Sequence, residues 1–258
     1  MTTRGLSEGS DLAKAAYDVF ASSYDDFAYR YQYEQWTRRL LDKAEEAGLE
    51  GKRLLDVACG TGLSFLPMLE RGFTVTACDI SEAMLARARS KAGDRVKLAV
   101  ADMRALPDFG EFDLVWALND PLNYLLSRLA LEEALAGFRR NLAPNGIALF
   151  DVNTPVTYRD FFSGETAIER NGKRMVWRGK SHPDTIRPRD FHEAEFEVVG
   201  QPDSVRIHRQ RHHPEDEALA AIEAAGLNCV GVFGELGGVL YPGLDEETHG
   251  KAVYLCRR

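Results

Sequence analysis

The sequence predicts an α/β protein with a mostly parallel sheet covered by helices on both faces. Short apolar runs alternate with helical patterns from residue 52 to residue 152, as repeated βα units do. The first run, Arg53–Ala58, leads into the small-residue turn Cys59–Gly62, and the second run ends before Asp79. A glycine turn beside an acidic strand end is typical of a nucleoside-binding crevice.

Composition narrows the class of protein. With 258 residues, 45% of them hydrophobic, the chain is long enough for one good core and a smaller appended subdomain. A net charge of −8 argues against a nucleic-acid partner, because binding phosphates requires a basic face. The sequence has no apolar run of about 18 residues, so neither export nor membrane spanning is predicted. Four cysteines without a Cys-x-x-Cys pair predict a cytoplasmic protein without a metal site: Cys59, Cys78, Cys229 and Cys256.

Residues 1–48 are predicted to form an N-terminal helical cap. Residues 1–10 look like a loose tail, and Ser10 can cap a helix that runs to about Phe20. A second helix is expected from about Tyr29 to Ala47, where Gly48 ends it. Its apolar side chains at positions 36, 40 and 44 share one face, so this helix should pack on the core.

Residues 49–154 and 214–258 are predicted to form the core. Its expected strands are Arg53–Ala58, Thr74–Cys78, Val96–Val100, Phe112–Leu118, Ile147–Val152, Cys229–Phe233 and Ala252–Cys256. Helices should follow Gly62, Ser81 and Pro214, and a further helix should span Arg128–Asn141.

Residues 155–213 change the pattern to short strands of period two, which predicts a small antiparallel lid. Asn171-Gly172 is a strong type I′ hairpin signal between Thr166–Arg170 and Lys173–Arg178. In the next strand, the even positions from His192 to Val198 share one face and three glutamates share the other. We expect this sheet to cover the edge where ligands bind.

The glycine turn favours one kind of nucleoside ligand. A dinucleotide turn needs a third glycine for close helix packing, and Phe65 stands in its place. No Gly-Lys-Ser/Thr follows, which excludes a P-loop. Asp56, just before the turn, would repel a diphosphate but suits a ligand that carries an ammonium and a sulfonium.

These residues resemble the motifs of the class I S-adenosylmethionine (SAM)-dependent methyltransferases. Five motifs occur in family order and at family spacing: Asp56–Gly62, Asp79–Leu85, Ala101–Met103, Phe112–Asn119 and Leu142–Gly146. The resemblance covers about residues 50–155. It implies a Rossmann-like seven-stranded sheet whose last strand is antiparallel, with SAM as the cofactor. The layout is similar to that of small-molecule N-methyltransferases acting on amino sugars or glycine.

The resemblance also implies roles for particular residues. Asp79 would bind the ribose hydroxyls, Asp102 the adenine amino group, and Leu118 would face the sulfonium. Without the surrounding motifs, Asp79 and Asp102 would read as helix caps or solvated strand ends. The aromatic residues of the N-terminal cap are candidate contacts, with helix packing as the alternative. The implied cofactor contacts are Tyr24, Tyr33, Trp36, Asp56, Ala58, Gly60, Gly62, Asp79, Ile80, Met84, Asp102, Met103 and Leu118.

The loop after the fourth strand is where the family places groups beside the transferred methyl. The run Asn119-Asp120-Pro121-Leu122 lacks the second proline and the aromatic residue of nucleobase methyltransferases. A histidine would be the general base if the acceptor were a hydroxyl. The catalytic candidates are Asn119, Asp120, Tyr124, His192 and His208; the alternatives are a polar loop cap and surface histidines.

The sequence therefore predicts an enzyme that transfers a methyl group from SAM to a small molecule, with an amine nitrogen as the preferred acceptor. A small-molecule O-methyltransferase is the alternative, followed by a non-catalytic SAM-binding module and a nicotinamide oxidoreductase. Neither the acceptor nor the choice between monomer and homodimer is decided by the sequence.

Overall fold

A computed structural model describes residues 4–258, with side chains from residue 11 onward. Its twelve strands are β1 (Arg53–Val57), β2 (Thr74–Asp79), β3 (Val96–Val100), β4 (Phe112–Ala117), β5 (Leu142–Asn153), β6 (Glu165–Arg170), β7 (Lys173–Gly179), β8 (Phe191–Val198), β9 (Arg206–Arg211), β10 (Asn228–Leu236), β11 (Val239–Pro242) and β12 (Lys251–Arg257). Its α-helices are α1 (Arg4–Phe20), α2 (Tyr24–Phe27), α3 (Tyr33–Glu46), α4 (Leu66–Glu70), α5 (Glu82–Ala92), α6 (Arg128–Asn141), α7 (Pro155–Phe161) and α8 (Glu215–Ala224).

The larger sheet has eight strands in the order β11-β10-β12-β5-β4-β1-β2-β3. Strands β1 to β5 pair in parallel, and β12 lies antiparallel between β5 and β10. This confirms the predicted fold class, including the antiparallel last strand. The order reverses between β1 and β4, and in such sheets ligands bind at the carboxyl ends of the strands there. The short edge strand β11, which β10 reaches through the glycine turn Gly237-Gly238, was not predicted from the sequence.

Side chains of strand β4 alternate between two apolar cores, one on each face of the larger sheet. Leu114 and Trp116 enter the core formed with α3, α4 and α5, while Val115 and Ala117 enter the core formed with α6 and α8. All four side chains are fully buried, which explains why this strand reads as a continuous apolar run.

The N-terminal segment differs from its prediction. Helix α1 already begins at Arg4, so residues 4–10 are helical rather than a tail, and residues 1–3 lie outside the described residues. The helix expected from Tyr29 begins at Tyr33, because Gln32 adopts a left-handed conformation (φ 46°) that interrupts it. Helix α7, at the start of the predicted lid, was also missed; seven residues are too few to establish a helical period.

The smaller sheet is antiparallel with the order β6-β7-β8-β9. Positive φ at Asn171 (50°) and Gly172 (74°) confirms the predicted hairpin turn. Ala194 and Phe196 are fully buried, as the alternation predicts, and they pack with Phe20 and Phe27 of the N-terminal segment. This sheet and the N-terminal helices therefore share one apolar core.

Hydrogen bonds and ion pairs tie the N-terminal segment to both sheets. Asp25 accepts from the Thr61 hydroxyl (2.5 Å) in the glycine turn and pairs with Lys91, while Asp18 accepts from the Ser81 hydroxyl (2.6 Å). On the opposite side, Asp26 accepts from the side-chain amide of Asn171 in the smaller sheet. The segment thus spans the crevice at the carboxyl edge of the larger sheet. In the part of the chain that the structure describes, no helix is long and apolar enough to cross a membrane.

Candidate active site

The glycine turn after β1 is held in conformations that favour glycine. Gly60 (φ 54°) and Gly62 (φ 86°) have positive φ, and so does Ala58 (φ 56°). A Cβ on Gly62 would lie 2.5 Å from the Phe65 ring. Phe65 is fully buried against this glycine and so occupies the place that the third glycine of a dinucleotide turn would leave open.

Asp79 connects the ends of β1 and β2. One carboxylate oxygen accepts the Gly60 N–H and the other accepts the Ser81 N–H, both at 2.8 Å. Only 7% of the residue is exposed, and burial raises the pKa of Asp79 to about 6. The side chain therefore presents a shielded carboxylate at the crevice.

Asp56 lies beneath the glycine turn. It is 1% exposed, and one carboxylate oxygen accepts from the Ser64 hydroxyl at 2.5 Å. The other oxygen has no hydrogen-bond partner among the described residues, and burial raises the pKa of Asp56 to about 7. Asp56 is thus placed to support the turn from below.

Residues from four of the five sequence motifs line one cavity. They lie at the ends of β1, β2, β3 and β4, where parallel strands bring them to one edge. The expected cofactor contacts among them are Ala58, Gly60, Asp79, Ile80, Met84, Met103 and Leu118, and Tyr24 of the N-terminal segment lines the same cavity. Asp102 is not among the residues that line this cavity. Both of its carboxylate oxygens accept hydrogen bonds from Arg104, which keeps the pKa of Asp102 below its usual value.

Two of the N-terminal aromatic candidates lie in a neighbouring cavity. Tyr33 and Trp36 line a third cavity, the outer chamber, together with Arg30, Arg39 and Asn119. The Tyr33 hydroxyl reaches the Tyr24 hydroxyl at 2.8 Å, and Tyr24 lines the cofactor-side cavity. Any influence of Tyr33 on the cofactor would therefore act through Tyr24.

The loop after β4 is strained and braced from below. Asn119 (φ 70°) and Asp120 (φ 61°) are both left-handed, a costly conformation for residues with a side chain. The buried Asp151 at the end of β5 accepts both of their N–H groups, at 2.6 and 3.1 Å. Lys251 donates to Asp151 (2.7 Å) and to Asp120 (2.8 Å), and Gln210 donates to the second oxygen of Asp120 (2.7 Å).

Asp151, Gln210 and Lys251 were missed by the sequence analysis. Asp151 carried a usable signal, because a carboxylate directly after the apolar run Ile147–Phe150 marks the edge where the other motifs end. Burial raises the pKa of Asp151, while Lys251 opposes that rise. The three charges of Asp120, Asp151 and Lys251 leave the floor of the site with a net negative charge.

A second cavity is the candidate site for the methyl acceptor, and this acceptor chamber adjoins the cofactor-side cavity. It has a volume of about 290 Å³ and shares Tyr17, Tyr24, Asn119 and Tyr124 with that cavity. Asp120 and Lys251 lie on its wall. Its aromatic walls come from the N-terminal segment, the loop after β4, α7 and the smaller sheet: Tyr17, Phe20, Tyr24, Phe27, Tyr31, Tyr124, Phe161, Phe162 and Trp177.

The two candidate histidines, His208 and His192, lie in different surroundings. His208 Nδ1 lies 2.9 Å from the Tyr124 hydroxyl, and that hydroxyl accepts from the Tyr17 hydroxyl at 3.0 Å. Burial lowers the pKa of His208 to about 3, so this imidazole is neutral. His192 does not line the chamber; it stacks on Tyr158 at 4.1 Å, and burial lowers its pKa to about 4.

The chain resembles known methyltransferases in sequence. A family model described as a methyltransferase domain matches residues 54–146. The candidate methyltransferase YqeM of Bacillus subtilis (strain 168) is 33% identical over 217 residues, covering 81% of this chain and 85% of YqeM. The dTDP-3-amino-3,4,6-trideoxy-alpha-D-glucopyranose N,N-dimethyltransferase of Streptomyces venezuelae is 30% identical over 184 residues, covering 69% of this chain and 76% of that enzyme.

A solved structure shows the same fold. The SAM-dependent methyltransferase from Clostridium acetobutylicum ATCC 824 matches with a TM-score of 0.75 over 92% of this chain and 97% of that chain, at 21% identity. Together with the motifs at the carboxyl edge of the larger sheet, these similarities confirm the predicted family, enzyme class and cofactor. This chain belongs to the SAM-dependent methyltransferase family.

Proposed function

We propose that this methyltransferase acts on an amine nitrogen of a small-molecule metabolite. The observation that carries the proposal is the chemistry of the acceptor chamber, where aromatic rings surround a floor with a net negative charge. Ring faces and carboxylates both attract cations. A chamber of this kind stabilises the cationic product that forms when an amine gains a methyl group.

The state of the two candidate bases, Asp120 and His208, supports an amine over a hydroxyl. A hydroxyl acceptor must lose its proton to a general base, whereas a neutral amine already offers a lone pair. Both oxygens of Asp120 are bonded, and His208 has a pKa of about 3. The described residues that line the chamber include no histidine, and their second carboxylate, Glu235, accepts the Gly238 N–H through one oxygen. We propose that Tyr124, hydrogen-bonded to His208, positions the acceptor nitrogen.

The cofactor-side residues fit SAM. A Cβ on Gly60 would meet nothing within 4 Å, so space remains open beside that backbone. We propose that Asp79 holds the ribose hydroxyls, that Ile80, Met84 and Met103 contact the adenine, and that Asp56 supports the turn. Bound SAM supplies an electrophilic methyl group. The chain then contributes alignment of the acceptor, which accounts for much of the rate in such a displacement.

These cavities support a division of the chain into three parts with different roles. We propose residues 1–48 as a cap, residues 49–154 with 214–258 as the SAM-binding core, and residues 155–213 as the lid. The cap and lid both contribute aromatic walls to the acceptor chamber, which supports a metabolite-sized acceptor. Relatives named for glycine and for amino-sugar N-methylation point in the same direction.

A panel of matched amines, alcohols and carboxylic acids tests the proposed acceptor. Each compound is incubated with the enzyme and SAM, and S-adenosylhomocysteine and the methylated product are measured. We expect turnover with an amine and none with the alcohol of the same carbon skeleton. Turnover of the alcohol or the acid alone would contradict N-methylation.

Replacing His208 with asparagine separates positioning from base catalysis. The asparagine oxygen can still accept from the Tyr124 hydroxyl, so we expect kcat to fall by no more than about tenfold. Loss of a general base would lower kcat by roughly 10²- to 10⁴-fold. Steady-state kinetics distinguish the two results, and the exposed Tyr241→Phe provides a variant expected to match the wild type.

SAM affinity is expected to depend on pH through Asp79. Its pKa is raised to about 6, so the carboxylate is anionic above that pH and becomes protonated below it. Binding should therefore be strongest at neutral pH and weaken as the pH falls through 6, measured by calorimetric titration of SAM. Asp79→Asn should flatten this dependence, and an unchanged profile in the variant would exclude Asp79 as its source.

A further inference from the structure

We infer that the outer chamber binds an oxyanion, so that the methyl acceptor is an amine that also carries a phosphate or carboxylate group. The inference rests on the proposed function and extends it to the substrate class. Its basis is a pair of arginines, Arg30 and Arg39, in a cavity continuous with the acceptor chamber.

The outer chamber has a volume of about 310 Å³. It shares Tyr31, Asn119, Glu235 and Lys251 with the acceptor chamber, so one molecule can extend into both. Asn119 also lines the cofactor-side cavity and thus stands where all three cavities meet. An acceptor nitrogen placed near Asn119 would leave the remainder of the molecule free to reach the outer chamber.

Three of the four charged side chains on the outer chamber wall have hydrogen-bond partners, and one of these, Arg30, donates from Nε to the Tyr29 hydroxyl at 2.7 Å. Lys251 is paired with Asp120 and Asp151, and Glu235 accepts the Gly238 N–H in the β10–β11 turn. Arg39 differs, because its side chain makes no hydrogen bond or ion pair with the described residues. Its neighbour Arg38 is paired with Asp42 at 2.8 Å.

Two irregular features of the backbone build this site. The left-handed Gln32 turns the chain between the short helical segment Ala28–Tyr31 and α3, which brings Arg30 and Arg39 to the same cavity. On the opposite wall, a Cβ on Gly238 would lie 2.7 Å from an Arg39 guanidinium nitrogen. The glycine turn of the additional strand β11 therefore lets the guanidinium lie against it.

The two chambers share Lys251 and Glu235 but differ in their remaining charged side chains. Carboxylates and ring faces in the acceptor chamber favour a cationic amine, whereas the guanidinium groups of the outer chamber favour an anion. Guanidinium presents paired N–H donors that match the two oxygens of a carboxylate or phosphate. A zwitterionic acceptor satisfies both ends at once.

Calorimetric titration of the full chain with inorganic pyrophosphate, and separately with succinate, tests the site. We expect saturable binding of at least one of these anions, and the tighter one identifies the class of oxyanion. Arg39→Gln should weaken this binding by about tenfold or more, because it removes a charged hydrogen-bond donor. Arg38→Gln, which changes an adjacent paired arginine, should bind as the wild type does. Thermal unfolding of each variant verifies folding.

No saturable binding of either anion, or equal binding by Arg39→Gln, would overturn the inference. Kinetics add a second test: Arg39→Gln should raise KM for an anionic amine but not for its uncharged amide analogue. If the anion binds through Arg39 and no amine is turned over by the wild type, the proposed function fails while the oxyanion site stands. Turnover of amines regardless of charge in both proteins would reject the oxyanion site alone.

Discussion

Replacing Lys251 with methionine is expected to lower the free energy of unfolding by about 3 kcal/mol and to abolish most methyl transfer. Lys251 is 18% exposed and is the cation that pairs with both Asp120 and Asp151. Methionine keeps the volume of the side chain but leaves two carboxylates facing each other with little solvent. Removing one partner of a buried ion pair costs about 3–5 kcal/mol, and the lower end applies to this partly exposed lysine.

The loss of activity follows from the loop that these charges brace. Asn119 and Asp120 keep their left-handed conformations because Asp151 accepts both of their N–H groups. Without Lys251, Asp151 favours its protonated form and accepts those bonds less strongly. Urea unfolding and the rate of S-adenosylhomocysteine formation measure the two effects.

The stability defect of Lys251→Met should shrink in acid. The pKa of Asp151 is raised by burial, and removal of the lysine raises it further. A carboxyl whose folded-state pKa lies above its unfolded value stabilises the fold at low pH and loses that contribution as the pH rises. Unfolding at pH 5 and pH 8 tests this sign. The surface variant Lys180→Met, which breaks an exposed pair with Glu195, should cost less than about 1 kcal/mol at both pH values.

Replacing Asp79 with asparagine is expected to raise the dissociation constant of SAM by about 100-fold. The substitution removes the anion proposed to accept the ribose hydroxyls, and each hydrogen bond to a charged group contributes about 1.5–3 kcal/mol. It also places an amide NH₂ against one of two backbone donors, Gly60 N–H or Ser81 N–H. The glycine turn therefore loses part of its own support.

Calorimetric titration of SAM and of S-adenosylhomocysteine measures this effect. Asp94→Asn is a suitable control, because it makes the same chemical change at an exposed residue just after α5. Equal SAM affinity in Asp79→Asn and the wild type would remove Asp79 from the cofactor site. A matching loss of thermal stability without a change in SAM affinity would assign Asp79 a role in the turn alone.

Site residues that are close along the chain were the most predictable from the sequence. Asp56, Gly60 and Asp79 belong to consecutive strands and turns, so spacing alone places them at one edge of the sheet. The hairpin at Asn171-Gly172 and the alternation in β8 are local for the same reason. Errors arose where a single residue overrides a local pattern, as the left-handed Gln32 does when it delays α3.

Residues of the acceptor side were harder to predict, because their partners are distant in sequence. His208 and Tyr124, which both entered the prediction as separate candidates, meet only because β9 packs over the loop after β4. His192 alternates on the same side as Ala194, yet tertiary packing stacks it on Tyr158, away from the chamber. Periodicity indicates which face a side chain occupies, but it cannot indicate what that face covers.

The sequence by itself determined the fold class, the methyltransferase family and the cofactor, because the crevice is built from short contiguous motifs on adjacent parallel strands. Tertiary structure alone decided the acceptor side. Lys251 reaches Asp120 across 131 residues and Asp151 across 100, and no local pattern encodes such pairings. Strand order in the larger sheet places β12 beside β5, and that adjacency creates the charged floor on which the proposed amine specificity depends.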